Sequence, residues 1–283
     1  MSLVNILFRL LCDISSKFIG PKLCAVKVSS HIVSNVNIKV YSPDGAEKKP
    51  VILYYHGGGW VIGSIKAYDR ILRYISFNSG CIVVAIEYRK APEYKFPIAL
   101  HDSYLGYIWA INNIYKLNGD IKRLVLCGDS AGGNLILGVL AIMNKQQSPK
   151  IPYLLVLIYP LLEPKITLDR TRPWLYKVSK IILDYSLKQY LTPKAQHNMQ
   201  QISFISNFDK NITYPTTFIF TAELDALTPD INQYAIKLKS TGAKVLIKEY
   251  SGAFHGAINF SGVCKVSKTM LSDISKHIML YCS

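Results

Sequence analysis

Three short motifs hold residue types that could carry out acyl transfer. In Gly128-Asp129-Ser130-Ala131-Gly132 a serine stands between glycines, after the apolar run Arg123-Leu124-Val125-Leu126-Cys127 and before a helical pattern. A serine on so tight a strand-to-helix turn projects its hydroxyl beyond the sheet edge. The flanking glycines are needed because a Cβ would collide across the turn. In His56-Gly57-Gly58-Gly59-Trp60 consecutive glycines follow the run Val51-Ile52-Leu53-Tyr54-Tyr55. Such glycines let the backbone approach a ligand and present N–H groups. In acyl transfer those donors hold the oxygen that becomes negative in the tetrahedral intermediate.

A serine nucleophile needs a base, and the base needs a carboxylate to orient it. Asp225 follows the run Thr217-Phe218-Ile219-Phe220-Thr221-Ala222, and His255 follows Lys244 to Tyr250 inside Gly252-Ala253-Phe254-His255-Gly256. The chain order is then serine, acid, histidine, as an α/β-hydrolase requires. Glu223 and Asp230 compete for the acid role. Glu223 abuts the strand and reads as structural, whereas Asp230 follows Pro229 and suits the first turn of a helix. His31, His101, His197 and His277 lack a strand-end position.

The elements that must place these residues alternate. Strand-like runs at 37–41, 51–55, 81–88, 123–127, 153–159, 217–222 and 244–250 are separated by helical patterns near 68–78, 98–116 and 131–144. Near-continuous Val/Ile/Leu runs predict a mostly parallel sheet covered by helices on both faces. Between Pro160 and Thr216 no strand pattern occurs, and no glycine stands between Val139 and Thr241. This predicts a helical insertion leaving the sheet on the edge where ligands bind.

Composition bounds the alternatives. Half of the 283 residues are apolar and 18% are charged, which excludes a disordered chain. The net charge is +15, from 33 basic and 18 acidic residues, but it is spread without the basic runs of a nucleic-acid groove. The six cysteines form no CxxC pair and no metal cluster, and Cys81 and Cys127 lie at or inside apolar runs. Buried free thiols and a cytoplasmic location are therefore expected. At the N-terminus Asn5, Arg9 and Asp13 make a narrow polar stripe on an otherwise apolar helix. Arg9 interrupts the apolar stretch and argues against a cleaved leader. Such a helix docks on the domain or lies on a membrane surface.

HGGGW at 56–60, EYRKAPEYKFPIAL at 87–100, GDSAGGN at 128–134, AELDAL at 222–227 and the glycine-flanked His255 resemble the hormone-sensitive-lipase-like group of α/β-hydrolase esterases, which includes arylacetamide deacetylases. The resemblance runs from about 50 to 260 in collinear order. It implies one α/β-hydrolase domain over 1–283, with a helical cap from about 1–30 and 161–214, and ester hydrolysis without cofactor or metal. It implies Ser130 as nucleophile, Asp225 as acid, His255 as base, and the amides of Gly58, Gly59 and Ala131 as the oxyanion hole. It assigns no chemistry to Tyr88-Arg89 or Ala91-Pro92-Glu93. The acid motif continues Ala226-Leu227-Thr228-Pro229-Asp230 where the group usually has Pro-Leu-Arg-Asp-Glu, and His255-Gly256-Ala257 replaces His-Gly-Phe.

The expected activity is serine carboxylesterase action on small to medium acyl or aryl esters. Trp174, Tyr176, Tyr185 and Tyr190 of the insertion are candidates for an apolar pocket wall. A non-catalytic binding protein on the same scaffold and a membrane-surface lipase or deacetylase are the other readings. Family relatives that became receptors lose the histidine, which this chain keeps.

Overall fold

The strand runs assemble into an eight-stranded sheet of order β1-β2-β4-β3-β5-β6-β7-β8. In the computed structural model residues 3–45, 47–146, 152–166, 172–192 and 202–283 are described. The strands are β1 (Lys27–Val33), β2 (Val36–Ser42), β3 (Lys49–Tyr55), β4 (Ile82–Glu87), β5 (Gly119–Asp129), β6 (Leu154–Ile158), β7 (Thr216–Leu224) and β8 (Val245–Phe254). The helices are α1 (Leu3–Ile19), α2 (Ile65–Ser79), α3 (Ile98–Asn113), α4 (Ala131–Lys145), α5 (Pro173–Tyr190), α6 (Thr228–Ser240) and α7 (Lys265–Cys282). From β4 to β8 every pairing is parallel, and only β1/β2 and β2/β4 are antiparallel. The expectation of an α/β-hydrolase fold with a mostly parallel sheet therefore holds.

The path reverses between β3 and β5. From β3 the chain crosses outward through α2 to β4, and from β4 it returns through α3 to β5 on the other side of β3. Right-handed crossovers then send α2 to one face of the sheet and α3 and α4 to the other. The loops leaving the carboxyl ends of β3 and β5 part around a crevice, which is where open α/β sheets bind ligands. Tyr55 at the end of β3 pairs with Gly128 near the end of β5, so HGGGW and the Ser130 turn start side by side. Burial of Val51 to Tyr55, Leu124 to Cys127 and Leu154 to Ile158 makes this edge rigid.

The structure adds two elements and lengthens others. Strand β1 joins β2 through a turn in which Ser34 and Asn35 have φ of 45° and 68°, the mirror-image hairpin conformation. As an edge strand with exposed residues it carries no apolar run to announce it. Helix α7 closes the chain and packs against α2. Strand β8 continues through Ser251 and Gly252, which read as loop in the sequence, so His255 directly follows the strand.

Helix α1 docks with its polar stripe rather than its apolar side. Asn5 is buried. Arg9 donates from Nε to the Val61 carbonyl at 2.8 Å, from Nη2 to the Ala91 carbonyl at 2.7 Å, and pairs with Glu93. Asp13 accepts from the Ser64 hydroxyl at 2.5 Å and faces Lys66. These contacts fasten α1 to the HGGGW loop and to the start of α2. The expected cap segments 1–30 and 161–214 are described except at 1–2, 167–171 and 193–201; His197 lies outside the described residues.

Candidate active site

Ser130 sits at φ 51°, ψ −119°, a conformation costly for a residue with a Cβ. Its amide donates to the Ile158 carbonyl at 3.0 Å, and its carbonyl accepts from Leu161. These bonds tie the turn to the end of β6 and hold the strained residue in place. Close packing enforces the glycines around it. A Cβ on Gly132 would stand 1.9 Å from the Tyr55 carbonyl oxygen.

Strands β7 and β8 deliver the partners. Leu224 pairs with Phe254, so Asp225 and His255 each follow one of two paired strand ends. His255 Nε2 lies 2.8 Å from Ser130 Oγ, and His255 Nδ1 lies 2.7 Å from Asp225 Oδ2. The other carboxylate oxygen of Asp225 accepts from the Leu227 amide at 3.0 Å, which fixes the plane of the buried acid. Desolvation pushes the His255 pKa down, and the Asp225 charge and hydrogen bond outweigh it, so the imidazole titrates above its ordinary value.

The glycine loop completes the arrangement. Gly58 and Gly59 have φ of 113° and 58°, and a Cβ on Gly58 would lie 2.2 Å from the Ile62 carbonyl oxygen. The Gly58 carbonyl accepts from Val61 and Ile62, which closes the loop on itself. Among the described residues no acceptor takes the amides of Gly58, Gly59 or Ala131. Unclaimed N–H groups on a glycine loop that starts next to the serine turn are the kind of donor that stabilises an oxyanion.

A family model described as the alpha/beta hydrolase fold matches residues 52–259. The chain belongs to that family. Within it, this hydrolase is 31% identical to an arylesterase from Saccharolobus solfataricus over 248 residues, which span 85% of this chain and 79% of the relative. It is 27% identical to an arylacetamide deacetylase from Oryctolagus cuniculus, across 84% of this chain and 76% of the relative. The solved hyperthermophilic esterase from Pyrobaculum calidifontis superposes with a TM-score of 0.87 at 28% identity, covering 99% of this chain and 92% of that one. The hydrolase is thus of the carboxylesterase type, in the hormone-sensitive-lipase-like group.

The hydrolase's site also rests on residues the sequence did not single out. Asp129, directly before Ser130, is fully buried and collects donors from the glycine loop. It accepts from the Gly57 amide at 3.0 Å, from Tyr54 Oη at 3.0 Å and from Tyr68 Oη at 2.7 Å. Burial raises its pKa to about 6, although these three donors and His255 favour the charged form. Asp129 thereby ties the glycine loop to the serine turn. A partly apolar strand end gives no hint of this.

His56 is buried beside it. Its Nδ1 donates to the Gly57 carbonyl at 2.7 Å, and Tyr88 stacks on the ring with centroids 4.3 Å apart. Burial lowers its pKa to about 4 against the opposing pull of Glu87, so the ring is neutral at pH 7. The segment around Arg89 braces the loop without touching the serine. Arg89 forms a two-pronged pair with buried Asp102 on α3.

Glu223 has a structural place. It sits in a bulge of β7, accepts from Ser251 Oγ and the Gly252 amide, and pairs with Arg172 at the start of α5 at 2.9 Å. Asp230 lies in the first turn of α6.

Of the four insertion aromatics, Tyr190 is buried and stacks on Trp60 at 4.4 Å, holding the glycine loop from above. Trp174 lies instead on the outer, exposed side of α5, Tyr176 is half-buried, and Tyr185, partly exposed, turns its hydroxyl to the buried Asn5 of α1. The helix turns Leu183, Ser186, Leu187 and Tyr190 inward, a stripe at spacings of three and four. Tyr159 was also missed. Its ring centroid lies 5.1 Å from that of His255.

Proposed function

We propose that this hydrolase cleaves small to medium acyl or aryl esters through Ser130, His255 and Asp225, with the amides of Gly58, Gly59 and Ala131 holding the oxyanion. The observation that carries the reading is the continuous chain of hydrogen bonds at 2.8 and 2.7 Å from Ser130 through His255 to Asp225. Ser130 Oγ attacks the ester carbonyl as its proton passes to His255 Nε2. The carbonyl oxygen becomes negative against the three amides. Collapse expels the alcohol, which takes the proton from His255, and leaves an acyl group on Ser130. Water then attacks that acyl group by the same route and restores the serine. Asp225 fixes the imidazole tautomer and stabilises the imidazolium.

In this reading the chain is one domain, with a cap built from about 1–30 and 161–214. Ser186 of α5 rests against Gly59, where a Cβ would stand 2.5 Å from its hydroxyl. That contact brings the cap down on the glycine loop and favours acyl chains of about two to eight carbons, the scale of one modest pocket. The test is p-nitrophenyl ester turnover across chain lengths, with Ser130→Ala alongside. Turnover should peak at short chains and fall about 10⁴-fold or more in the variant. A maximum at palmitate length would refute the pocket, and an active Ser130→Ala protein would refute the mechanism.

A further inference from the structure

We propose that the outer faces of α1 and α5 form one docking surface for an anionic lipid membrane, over the mouth of the site. The starting observation is the inverted seating of α1. Its polar residues Asn5, Arg9 and Asp13 hold the domain, which leaves Leu7, Leu11 and Phe18 in solvent, with Leu7 61% and Phe18 75% exposed. Helix α5 repeats the pattern. It turns Leu183 and Leu187 inward and leaves Trp174 and Ile181 outside, 62% and 69% exposed.

The two helices meet at one hydrogen bond and share a support. Tyr185 of α5 donates to Asn5 Oδ1 of α1 at 2.5 Å. Both rest on the same glycine loop, α1 through Arg9 to Val61 and α5 through Ser186 against Gly59. Clusters of exposed apolar side chains of this kind mark an interaction surface.

Charge selects the occupant. The two helices and the turn after α1 carry exposed Lys17, Lys22, Lys177, Lys180 and Lys188. Asp13 and Asp184 are their acids, and both are engaged, Asp13 by Ser64 and Lys66, Asp184 by Lys180. Apolar side chains framed by lysines, with an aromatic at the helix start, suit the boundary between headgroups and acyl chains of an anionic leaflet. A second copy of the chain would bring together two molecules of net charge +15 through lysine-bearing faces, which opposes association. Among the described residues no helix is long and apolar enough to cross a membrane, and the proposed contact is peripheral. For the proposed ester hydrolysis, on which only this consequence rests, docking turns the site toward esters dissolved in the lipid boundary.

The experiment is co-sedimentation of the full chain with phosphatidylcholine vesicles, with or without about one third phosphatidylserine. The unmodified chain should pellet with the anionic vesicles and be released at about 0.5 M salt. The triple change Leu11→Ser, Phe18→Ser and Ile181→Ser should weaken partitioning at least about tenfold, because each removes an exposed apolar side chain. Its turnover of a soluble p-nitrophenyl ester in vesicle-free buffer should be unchanged, which shows an intact fold. Binding is read without turnover, so failure of the esterase reading and failure of this one are distinguishable. Three results would overturn the proposal: no pelleting with anionic vesicles, equal pelleting of the triple variant, or self-association in analytical ultracentrifugation that the triple change abolishes without any vesicle binding.

Discussion

Replacing Asp129 by Asn should make stability depend on pH in a way that isolates one buried carboxyl. The substitution keeps shape and volume. The Asn carbonyl can still accept from Tyr54 and the Gly57 amide, and Tyr68 can turn its hydroxyl to accept from the new amide. What disappears is titration. Burial raises the Asp129 pKa from 3.8 to about 6 in the folded chain. A raised acid contributes stability that is present below its unfolded pKa and is lost as pH rises through the folded value. From pH 4 to pH 7 the native chain should lose about 2 kcal/mol that Asp129→Asn does not lose. The assay is urea unfolding of both proteins at several pH values, each carrying His255→Ala so that the one histidine coupled to Asp129 is removed and the remaining titrating groups largely cancel in the difference. A gap between the two that stays constant from pH 4 to 7 would refute a buried, protonatable Asp129.

His255 must be neutral to take a proton, and Asp225 holds its pKa above the ordinary 6.5, so kcat/KM should fall on the acid side with an inflection above that value. In Asp225→Asn the charge that most opposes desolvation is lost and only the Asp129 charge still opposes it, so the inflection should move to lower pH; pH–rate profiles read both. Gly58→Ala places a Cβ 2.2 Å from the Ile62 carbonyl at φ 113°, so kcat should drop about 10²–10³-fold as the loop shifts. Gly80→Ala, at φ 70° with nothing near its Cβ, should cost only about 1–2 kcal/mol in unfolding and leave kcat alone.

The meeting of Ser130, Asp225 and His255 was legible because an α/β sheet brings together side chains that stand just past its strand ends. Short apolar runs followed by Gly, Ser, Asp or His mark those ends. The central strands β3 to β7 were legible for the same reason, since a parallel sheet buried on both faces reads as continuous apolar sequence. Strand β1 was not, because an edge strand with exposed residues has no such run. The support under the site was also hidden. Asp129, Tyr54 and Tyr68 come from β5, β3 and α2, and nothing in their local sequence says that their side chains meet. Helix α1 shows a different limit. Its amphipathic pattern was visible, but which face docks depends on acceptors such as the Val61 and Ala91 carbonyls, which only the fold brings together. The same holds for Trp174. Its residue type suits a pocket wall, and the rotation of α5 sends it outward.

The central claim is that Ser130 is a nucleophile activated by His255. Its most direct test is intact-mass and peptide analysis after incubation with diethyl p-nitrophenyl phosphate, an organophosphate that traps activated serines. One diethylphosphoryl group per chain should appear on the peptide containing Ser130. It should be absent from Ser130→Ala and slowed at least about 10³-fold in His255→Ala, where no base takes the serine proton. An adduct on another residue, or a fully unlabelled chain that still hydrolyses p-nitrophenyl esters, would contradict the account.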